Sequence, residues 1–174
     1  TETYNYAQGA FNVNPVCQAK AVIEVHEMFR SAAILQGADL ANAFMGGRTD
    51  FANGTLEDKK KGAQNIANAV KKYAENSPVP VALHLDHGKN FESCAAAIAG
   101  GYTSVMIDGS SLSFKENMEL TREVVKYAHE RGVTVEGELG VLAGVEDHVF
   151  AATSTYTNPM DAVEFFKKTG VDAL

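Results

Sequence analysis

Short apolar runs alternate with helix-like stretches along this chain. Six runs share an apolar, β-favouring composition and are bounded by Gly or polar residues: 9–13, 32–36, 79–85, 103–107, 133–135 and 171–174. Runs of this length between turn residues are typical of buried strands. The sequence therefore predicts five strands and the start of a sixth.

The stretches between the runs carry apolar residues at helical spacing. Between Phe114 and Arg131, for example, Met118 and Val125 recur on one face, and Gly132 is a suitable helix stop. Asn158 and Pro159 open another helix, which ends at Gly170. The other predicted helices span residues 18–30, 56–73 and 91–99. Residues 39–57 are rich in Gly and Asn and predict a long loop.

Strands that alternate with helices imply a parallel sheet, either an open doubly wound sheet or a closed barrel. The first strand–helix turn, AFNVNP, is not a GxGxxG loop, so the dinucleotide-binding form loses support. We expect an α/β fold of the (β/α)8 TIM-barrel type. A complete barrel usually takes about 250 residues. Residues 1–174 are therefore expected to be a single partial barrel domain: about five βα units and the start of the sixth strand, with the C-terminal part of the barrel absent.

Composition narrows the range of partners. Hydrophobic residues make up 45% of the chain and the formal net charge is -7, as expected of a soluble globular protein. The acidic balance argues against nucleic acid and anionic membranes as partners. No apolar run approaches the roughly 18 residues of a membrane span, and no secretory signal is visible. Cys17 and Cys94 lack a zinc-binding spacing and predict reduced thiols, which fits a cytoplasmic location.

Catalytic groups of a βα barrel collect at the carboxyl ends of the strands. Those positions hold amides and acids: Asn12, Asn14, Gln36, Asp39, Asp86, His87, Asp108, Glu136 and Glu138. Crowded carboxylates repel one another unless a cation, a proton or a basic side chain compensates. Few Lys or Arg residues occur at these positions, so a divalent metal is the economical explanation.

The tripeptide Asp86-His87-Gly88 is the most informative of these strand ends. His87 offers an imidazole ligand, and Asp86 a general acid or base. The alternative is a strand-end His that bonds a backbone group. Neighbouring strand residues point to opposite faces, so both reach one site only if the strand ends there, which Gly88 allows.

The other histidines carry less information. His84 lies within the strand and is expected to be a packed, hydrogen-bonded core residue. His26 and His129 lie among charged residues on predicted helices, which favours a solvated face. His148 follows in the loop after Glu138, and the sequence leaves its role open between loop and site.

Several segments together resemble one enzyme family. VPVALHLDHG, GYTSVMIDGS, GVTVEGELG and GVEDH, in this order and spacing, resemble the class II fructose-1,6-bisphosphate and tagatose-1,6-bisphosphate aldolases. GAFNVN is similar to the first strand of that family. The similarity covers residues 6–174 and is weakest over residues 38–60.

The resemblance implies a zinc-dependent aldol cleavage. His87 would be a zinc ligand, and Asp108 and Glu138 would lie near the metal, at an alternative metal position or around the ligands. Asp86 would protonate the aldehyde oxygen during condensation, and Glu146 would exchange the proton beside the ketone. Asn12 would contact the substrate near the reacting carbons.

The family also implies the cofactors and partners of the protein. We expect Zn²⁺, with room for a second divalent or monovalent cation, and small-molecule sugar phosphates as substrates. No nucleic acid or membrane partner is expected. A homodimer or a larger homo-oligomer is the expected assembly.

Some of the family pattern departs from this chain. The other two zinc histidines of the family and its glycine-rich phosphate site would lie beyond Leu174, and Ala38 stands where many relatives have Ser. The alternatives are a tagatose-1,6-bisphosphate aldolase, its non-catalytic companion subunit, or a Schiff-base lyase. No Lys stands at a strand end within residues 1–174, since Lys89 lies one residue past Gly88, so a Schiff-base Lys would have to come from the remaining strands. A chain that ended here would be inactive alone, aggregate or pair with another chain. The preferred expectation is that the polypeptide continues beyond Leu174.

Overall fold

The structure is a computed structural model that describes residues 3, 5–141, 144–146, 149–152 and 154–174. The strands are β1 (Ala10–Asn12), β2 (Ala33–Ala38), β3 (Val81–Gly88), β4 (Ser104–Ile107), β5 (Thr134–Gly137), β6 (Gly144–Glu146) and β7 (Val149–Ala151). The helices are α1 (Val16–Phe29), α2 (Asp39–Met45), α3 (Leu56–Ala74), α4 (Phe91–Gly100), α5 (Phe114–His129) and α6 (Pro159–Thr169). A short 3-10 helix spans Phe51–Asn53.

Five strands form one parallel sheet in the order β1-β2-β3-β4-β5. The spatial order repeats the chain order, so the described sheet has no switch point of the kind that defines a doubly wound fold. Glu136 of β5 also forms a parallel bridge with Ala173, where the sixth strand was expected to begin. The predicted alternation of parallel strands and helices is confirmed.

The core lies between the sheet and the helices that cover it. Leu35, Leu85, Val105 and Ile107, one or two from each central strand, are all fully buried. A sheet buried in this way needs apolar residues at successive strand positions, which explains the continuous apolar runs.

Local sequence signals set the helix ends close to the predicted positions. Thr55 and Ser113 open α3 and α5 with capping boxes, in which the side chain and the N3 carboxylate exchange hydrogen bonds with backbone N–H groups. Asn158 caps α6, with Pro159 at its first position. Gly170 adopts a left-handed conformation at the end of α6, as a stop residue should.

The prediction of one long loop over residues 39–57 is wrong. Asp39–Met45 forms α2, and Phe51–Asn53 forms the 3-10 helix. Asp39 begins α2, where its negative charge suits the helix N-terminus. Buried Ala41, Asn42 and Ala43 face the core. Packing therefore stabilises a helix whose Gly- and Asn-rich surroundings suggested a loop.

The strands β6 and β7 form a small antiparallel hairpin after β5. The sequence predicted only a loop in this region. Among the described helices, none combines the length and the apolar character that crossing a membrane requires.

Candidate metal centre

An irregularity at the end of β3 brings Asp86 and His87 to one pocket. The sequence suggested that the strand ends at Asp86 and His87. In the structure β3 includes both residues and ends at Gly88. Its pairing with β4 instead shifts register between Leu85 and Gly88, and His87 has a left-handed backbone with φ 49°. Shifts of this kind re-aim a side chain, so two neighbouring residues can face the same site.

Gly88 allows the close approach of β3 to β4 and α4. A Cβ atom at this position would lie 2.7 Å from the Met106 carbonyl oxygen and 2.9 Å from the Cys94 sulfur. The carbonyl oxygen of Gly88 accepts a 2.9 Å hydrogen bond from the N–H of Asp108. The glycine therefore helps to place Asp108 beside the end of β3.

His87, Asp108 and Glu138 form a compact cluster at the carboxyl ends of β3, β4 and β5. The Nδ1 atom of His87 lies 3.2 Å from Oδ2 of Asp108 and 3.6 Å from Oε2 of Glu138. One possible ligand atom from each residue lies within 4.8 Å of the others. An imidazole nitrogen and two carboxylate oxygens are suitable ligands for zinc and related divalent cations. The residues present therefore fit a metal ion.

The carboxylate of Asp108 is held on both oxygens. Its Oδ1 accepts hydrogen bonds from the Ser110 N–H (3.1 Å) and hydroxyl (2.6 Å), and Oδ2 accepts one from Lys89 (2.8 Å). Burial opposes ionisation of Asp108, but the hydrogen bonds from His87, Lys89 and Ser110 outweigh it and hold the pKa well below its usual range. Asp108 is therefore a carboxylate with a fixed orientation.

The surrounding acids also change the protonation of His87. The hydrogen bond with Asp108 raises the pKa of His87 to about 9 against the effect of burial, and the charges of Asp86 and Glu138 add to the rise. Without a metal, the imidazole is thus protonated at neutral pH and supplies the positive charge that the acids require. A metal binds the neutral imidazole, so a divalent cation would take the place of this proton.

A pocket of about 490 Å³ adjoins the cluster, with a volume that suits a small organic molecule. Asp86, His87, Glu136 and Glu138 are among its lining residues. Burial raises the pKa of Glu136, and the negative charge of Asp86 raises it further. The pocket therefore combines a candidate metal centre with acids that can move protons.

His84 is a core residue, as predicted. It is 6% exposed, and its Nδ1 lies 2.8 Å from the hydroxyl oxygen of Ser104. Burial lowers the pKa of His84. Its Nε2 lies 3.5 Å from Oε2 of Glu136, so His84 contacts a residue that lines the pocket.

Of the two helix histidines, His129 is exposed, as predicted, whereas His26 is half-buried. Nδ1 of His26 lies 2.8 Å from the carbonyl oxygen of Val22. Nε2 of His129 lies 2.8 Å from Asp172, and its side chain is 43% exposed. Both histidines are thus paired within the fold.

Three other candidates have contacts of their own in the described structure. Asn12 lines a separate pocket of about 430 Å³, together with Ala38 and Phe44. Asp39 accepts hydrogen bonds from Lys59 (2.7 Å) and Ser93 (2.8 Å), so it joins α2 to α3 and α4. Glu146 lies on β6, where it pairs with Val149 through the backbone.

Two predictions fall outside what the structure describes. The side chain of Glu146 is one of them, and His148 in the same hairpin region is the other. Their proposed places in the site stay predictions.

The sequence did not predict that Lys89 and Ser110 contact Asp108. Both are polar and follow strand ends closely, at one residue past Gly88 and two past Asp108. That proximity was the available signal. Their contacts with Asp108 depend on the path of the loops, which the sequence pattern does not give.

Known proteins with matching sequences belong to the family that the motifs of this chain resemble. A model of the class-II fructose-bisphosphate aldolase family matches residues 1–174. A fructose-bisphosphate aldolase of Treponema pallidum is 46% identical over 173 residues, which cover 97% of this chain and 48% of that protein. One of Geobacillus stearothermophilus is 42% identical over 171 residues, covering 97% of this chain and 54% of that protein. The chain thus spans about half the length of these curated relatives.

Solved structures match as well. The YdjI aldolase of Escherichia coli K12 aligns with a TM-score of 0.74 and 30% identity, over 98% of this chain and 53% of that one. The fructose-bisphosphate aldolase of Campylobacter jejuni aligns with a TM-score of 0.76 and 25% identity, over 97% of this chain and 50% of that one. These matches confirm the predicted TIM-barrel fold, of which this chain forms part. The strand-end cluster, the parallel sheet and the family model agree, and the chain belongs to the class-II fructose-bisphosphate aldolase family.

Proposed function

We propose that the protein is a class II aldolase that reversibly cleaves fructose 1,6-bisphosphate to dihydroxyacetone phosphate and glyceraldehyde 3-phosphate. The observation that carries this proposal is the cluster of His87, Asp108 and Glu138 beside Asp86 on one pocket. The names of the curated relatives favour fructose bisphosphate over the tagatose isomer.

The proposed metal is zinc, with His87 as a ligand and Asp108 and Glu138 beside it. A bound divalent cation would polarise the substrate carbonyl as a Lewis acid. The carboxylates near His87 support cation binding, because a divalent cation can replace the proton on His87 and compensate their charge. A second divalent or monovalent cation near Asp108 and Glu138 is part of the same proposal and rests on the family resemblance.

The protons are assigned to two acids of this chain. Asp86 gives a proton to the aldehyde oxygen in condensation and takes it back in cleavage, a role that its place beside His87 supports. Glu146 exchanges the proton on the carbon beside the ketone, and Asn12 contacts the substrate near the reacting carbons. The last two roles rest on the family resemblance.

The substrates proposed here are small sugar phosphates, and the proposed assembly is a homodimer or larger homo-oligomer in the cytoplasm. These assignments follow from membership of the family. Cleavage assays with both fructose and tagatose bisphosphate separate the two sugar specificities, and a higher kcat/KM for the fructose isomer is expected.

Substitution of Asp86 and His87 tests the assignment in the full-length gene product. Asp86→Ala should reduce turnover by about 10²–10⁴-fold while zinc still binds, since a general acid is worth roughly that factor. His87→Ala should abolish both zinc binding and turnover. Zinc content by elemental analysis and a coupled cleavage assay measure the two effects.

His26→Ala is the matched control, because the described contacts of His26 are with the Val22 carbonyl and the Phe11 ring and not with the cluster. It should keep both zinc and activity. Full activity of either site variant, or normal cleavage in a strong chelator, would exclude the proposed roles.

A further inference from the structure

Lys89 occupies the side of Asp108 that faces the candidate metal centre. Its Nζ lies 2.8 Å from Oδ2, the same oxygen that lies 3.2 Å from Nδ1 of His87. The other oxygen, Oδ1, is taken by the N–H and hydroxyl of Ser110. Oδ2 is therefore the oxygen available to a cation beside His87, and Lys89 already shares it.

We propose that Lys89 is an internal competitor for the metal. Its ammonium group neutralises Asp108 when the centre is empty and opposes a divalent cation when one binds. Lys89 thereby weakens metal binding and keeps the metal exchangeable. The inference rests on the proposed metal centre at His87, Asp108 and Glu138.

Charge and burial give the competition its strength. The side chain of Asp108 is only 8% exposed, so interactions at its oxygens are screened less than at the surface. An ammonium and a metal ion that share one carboxylate oxygen repel each other at a distance of a few ångströms. When a metal binds, either this repulsion weakens the binding or the Lys89 ammonium moves away from Asp108.

The ion pair between Lys89 and Asp108 can open. The side chain of Lys89 is 35% exposed, and a lysine carries its charge on a flexible four-carbon stem. The ammonium can therefore exchange Asp108 for water when a metal arrives. The cost of breaking its ion pair with Asp108 is subtracted from the affinity for the metal.

The chain contains a second lysine–aspartate pair that serves as a comparison. Lys59 lies 2.7 Å from Asp39, and the two side chains are 24% and 13% exposed. The aspartate oxygen of this pair is shared with the Ser93 hydroxyl and not with an imidazole. Lys59 thus forms the same kind of ion pair as Lys89. Its aspartate oxygen, however, connects α2 to α3 and α4 and does not contact an imidazole.

The affinity for Zn²⁺ tests the proposal. Metal-free full-length protein is titrated with Zn²⁺ against a competing chromophoric chelator. Lys89→Met should bind Zn²⁺ about 10-fold or more tightly than the wild type. This change is similar in size, but opposite in sign, to the loss that follows removal of a group that supports a metal ligand. Lys89→Arg keeps the charge and should stay close to the wild type. Lys59→Met should leave the affinity unchanged.

Thermal unfolding separates competition from a merely structural role. Without metal, Lys89→Met should lower Tm, because Asp108 loses its partner. With saturating Zn²⁺, the rise in Tm should be larger than for the wild type, since tighter binding stabilises more. If Lys89 were only structural, Lys89→Met would lower Tm both without metal and with saturating Zn²⁺. Lys89→Gln can still donate a hydrogen bond to Asp108, so it provides a neutral variant that is easier to fold, and it should show the same tightening.

Unchanged or weaker Zn²⁺ affinity in the neutral variants overturns the inference, including when it comes with a raised KM, which would make Lys89 a substrate-binding group. If the wild type binds no divalent cation, the proposed metal centre is wrong and this inference fails with it. If the wild type binds Zn²⁺ and His87→Ala does not, the proposed metal centre is supported. The Zn²⁺ affinities of the Lys89 variants then decide whether Lys89 competes with the metal.

Discussion

At the scale of single residues, the orientation of Asp108 depends on Ser110. The serine holds Oδ1 with its backbone N–H at 3.1 Å and its hydroxyl at 2.6 Å. With Oδ1 fixed, Oδ2 is turned toward His87. Loss of a group that orients a metal ligand in this way typically costs about 10–100-fold in metal affinity or activity.

Replacing the hydroxyl should therefore weaken the metal site. Ser110→Ala is expected to lower Zn²⁺ affinity by about 10-fold, at the low end of the range for such partners, because the backbone N–H remains. Chelator competition measures the change, which is opposite in sign to that expected for Lys89→Met. Ser111→Ala, at the exposed neighbouring position, is the control. Equal affinities for the two serine variants would remove Ser110 from the site.

The residues that could be predicted from sequence are those fixed by strand periodicity. His87, Asp108 and Glu138 each lie within three residues of the end of an apolar run, so their meeting at one sheet edge was predictable. Lys89 reaches the same place only through the length of its side chain. Asp39 shows the opposite case, because it follows β2 but turns toward Lys59 instead.

At the scale of elements, α2 shows why a loop prediction failed. This helix has seven residues, too few to be stable through local propensity alone. Its stability comes from buried contacts with distant elements. Tyr102, just before β4, donates a 2.8 Å hydrogen bond to the Asn42 side chain, and each of these residues is only 2% exposed. A partner 60 residues away cannot be read from the local pattern.

Removing this one hydrogen bond should loosen α2. Tyr102→Phe leaves the buried oxygen of Asn42 without its donor, and the free energy of unfolding should fall by about 1–3 kcal/mol. Denaturant unfolding followed by circular dichroism measures the loss. Tyr156→Phe is the control, because Tyr156 is 83% exposed and its change should have no measurable effect. An unchanged Tyr102→Phe midpoint would contradict a stabilising role for the bond.

At the scale of the whole molecule, the order of elements was the most predictable property. Five strands, their parallel direction and the helices between them follow from alternating apolar and amphipathic segments. The register shift in β3 did not follow from this pattern, because it depends on how closely Gly88 approaches β4 and α4.

Asp172 ties the last described segment to the sheet. Its Oδ2 accepts a 2.8 Å hydrogen bond from the Val135 N–H and lies 2.8 Å from Nε2 of His129. Burial opposes ionisation of Asp172, but these hydrogen bonds and the charge of His129 hold its pKa below the usual range. The carboxylate thus links β5, α5 and the residues that pair with β5.

The depressed pKa makes this link sensitive to acid. Its contribution to stability is present above the unfolded pKa of about 3.9 and is lost as the pH falls through the lower folded value. Asp172→Asn should therefore lower stability at pH 7 by less than about 1 kcal/mol, since the side chain is 38% exposed and screened by solvent. The variant should also lose less Tm than the wild type between pH 6 and pH 3, on the order of a degree or two.

Thermal scans across this pH range test the link, with Glu119→Gln on the exposed side of α5 as the control. The control should follow the wild-type acid profile. Identical profiles for Asp172→Asn and the wild type would show that the carboxylate does not contribute.

The sheet order has a consequence for how the protein is made. Each strand from β2 to β5 pairs with the strand synthesised just before it. A growing polypeptide on the ribosome therefore always presents a finished neighbour to the next strand that emerges. His87, Asp108 and Glu138 leave the exit tunnel in that order, so all three donors are outside the ribosome before the hairpin and α6 emerge.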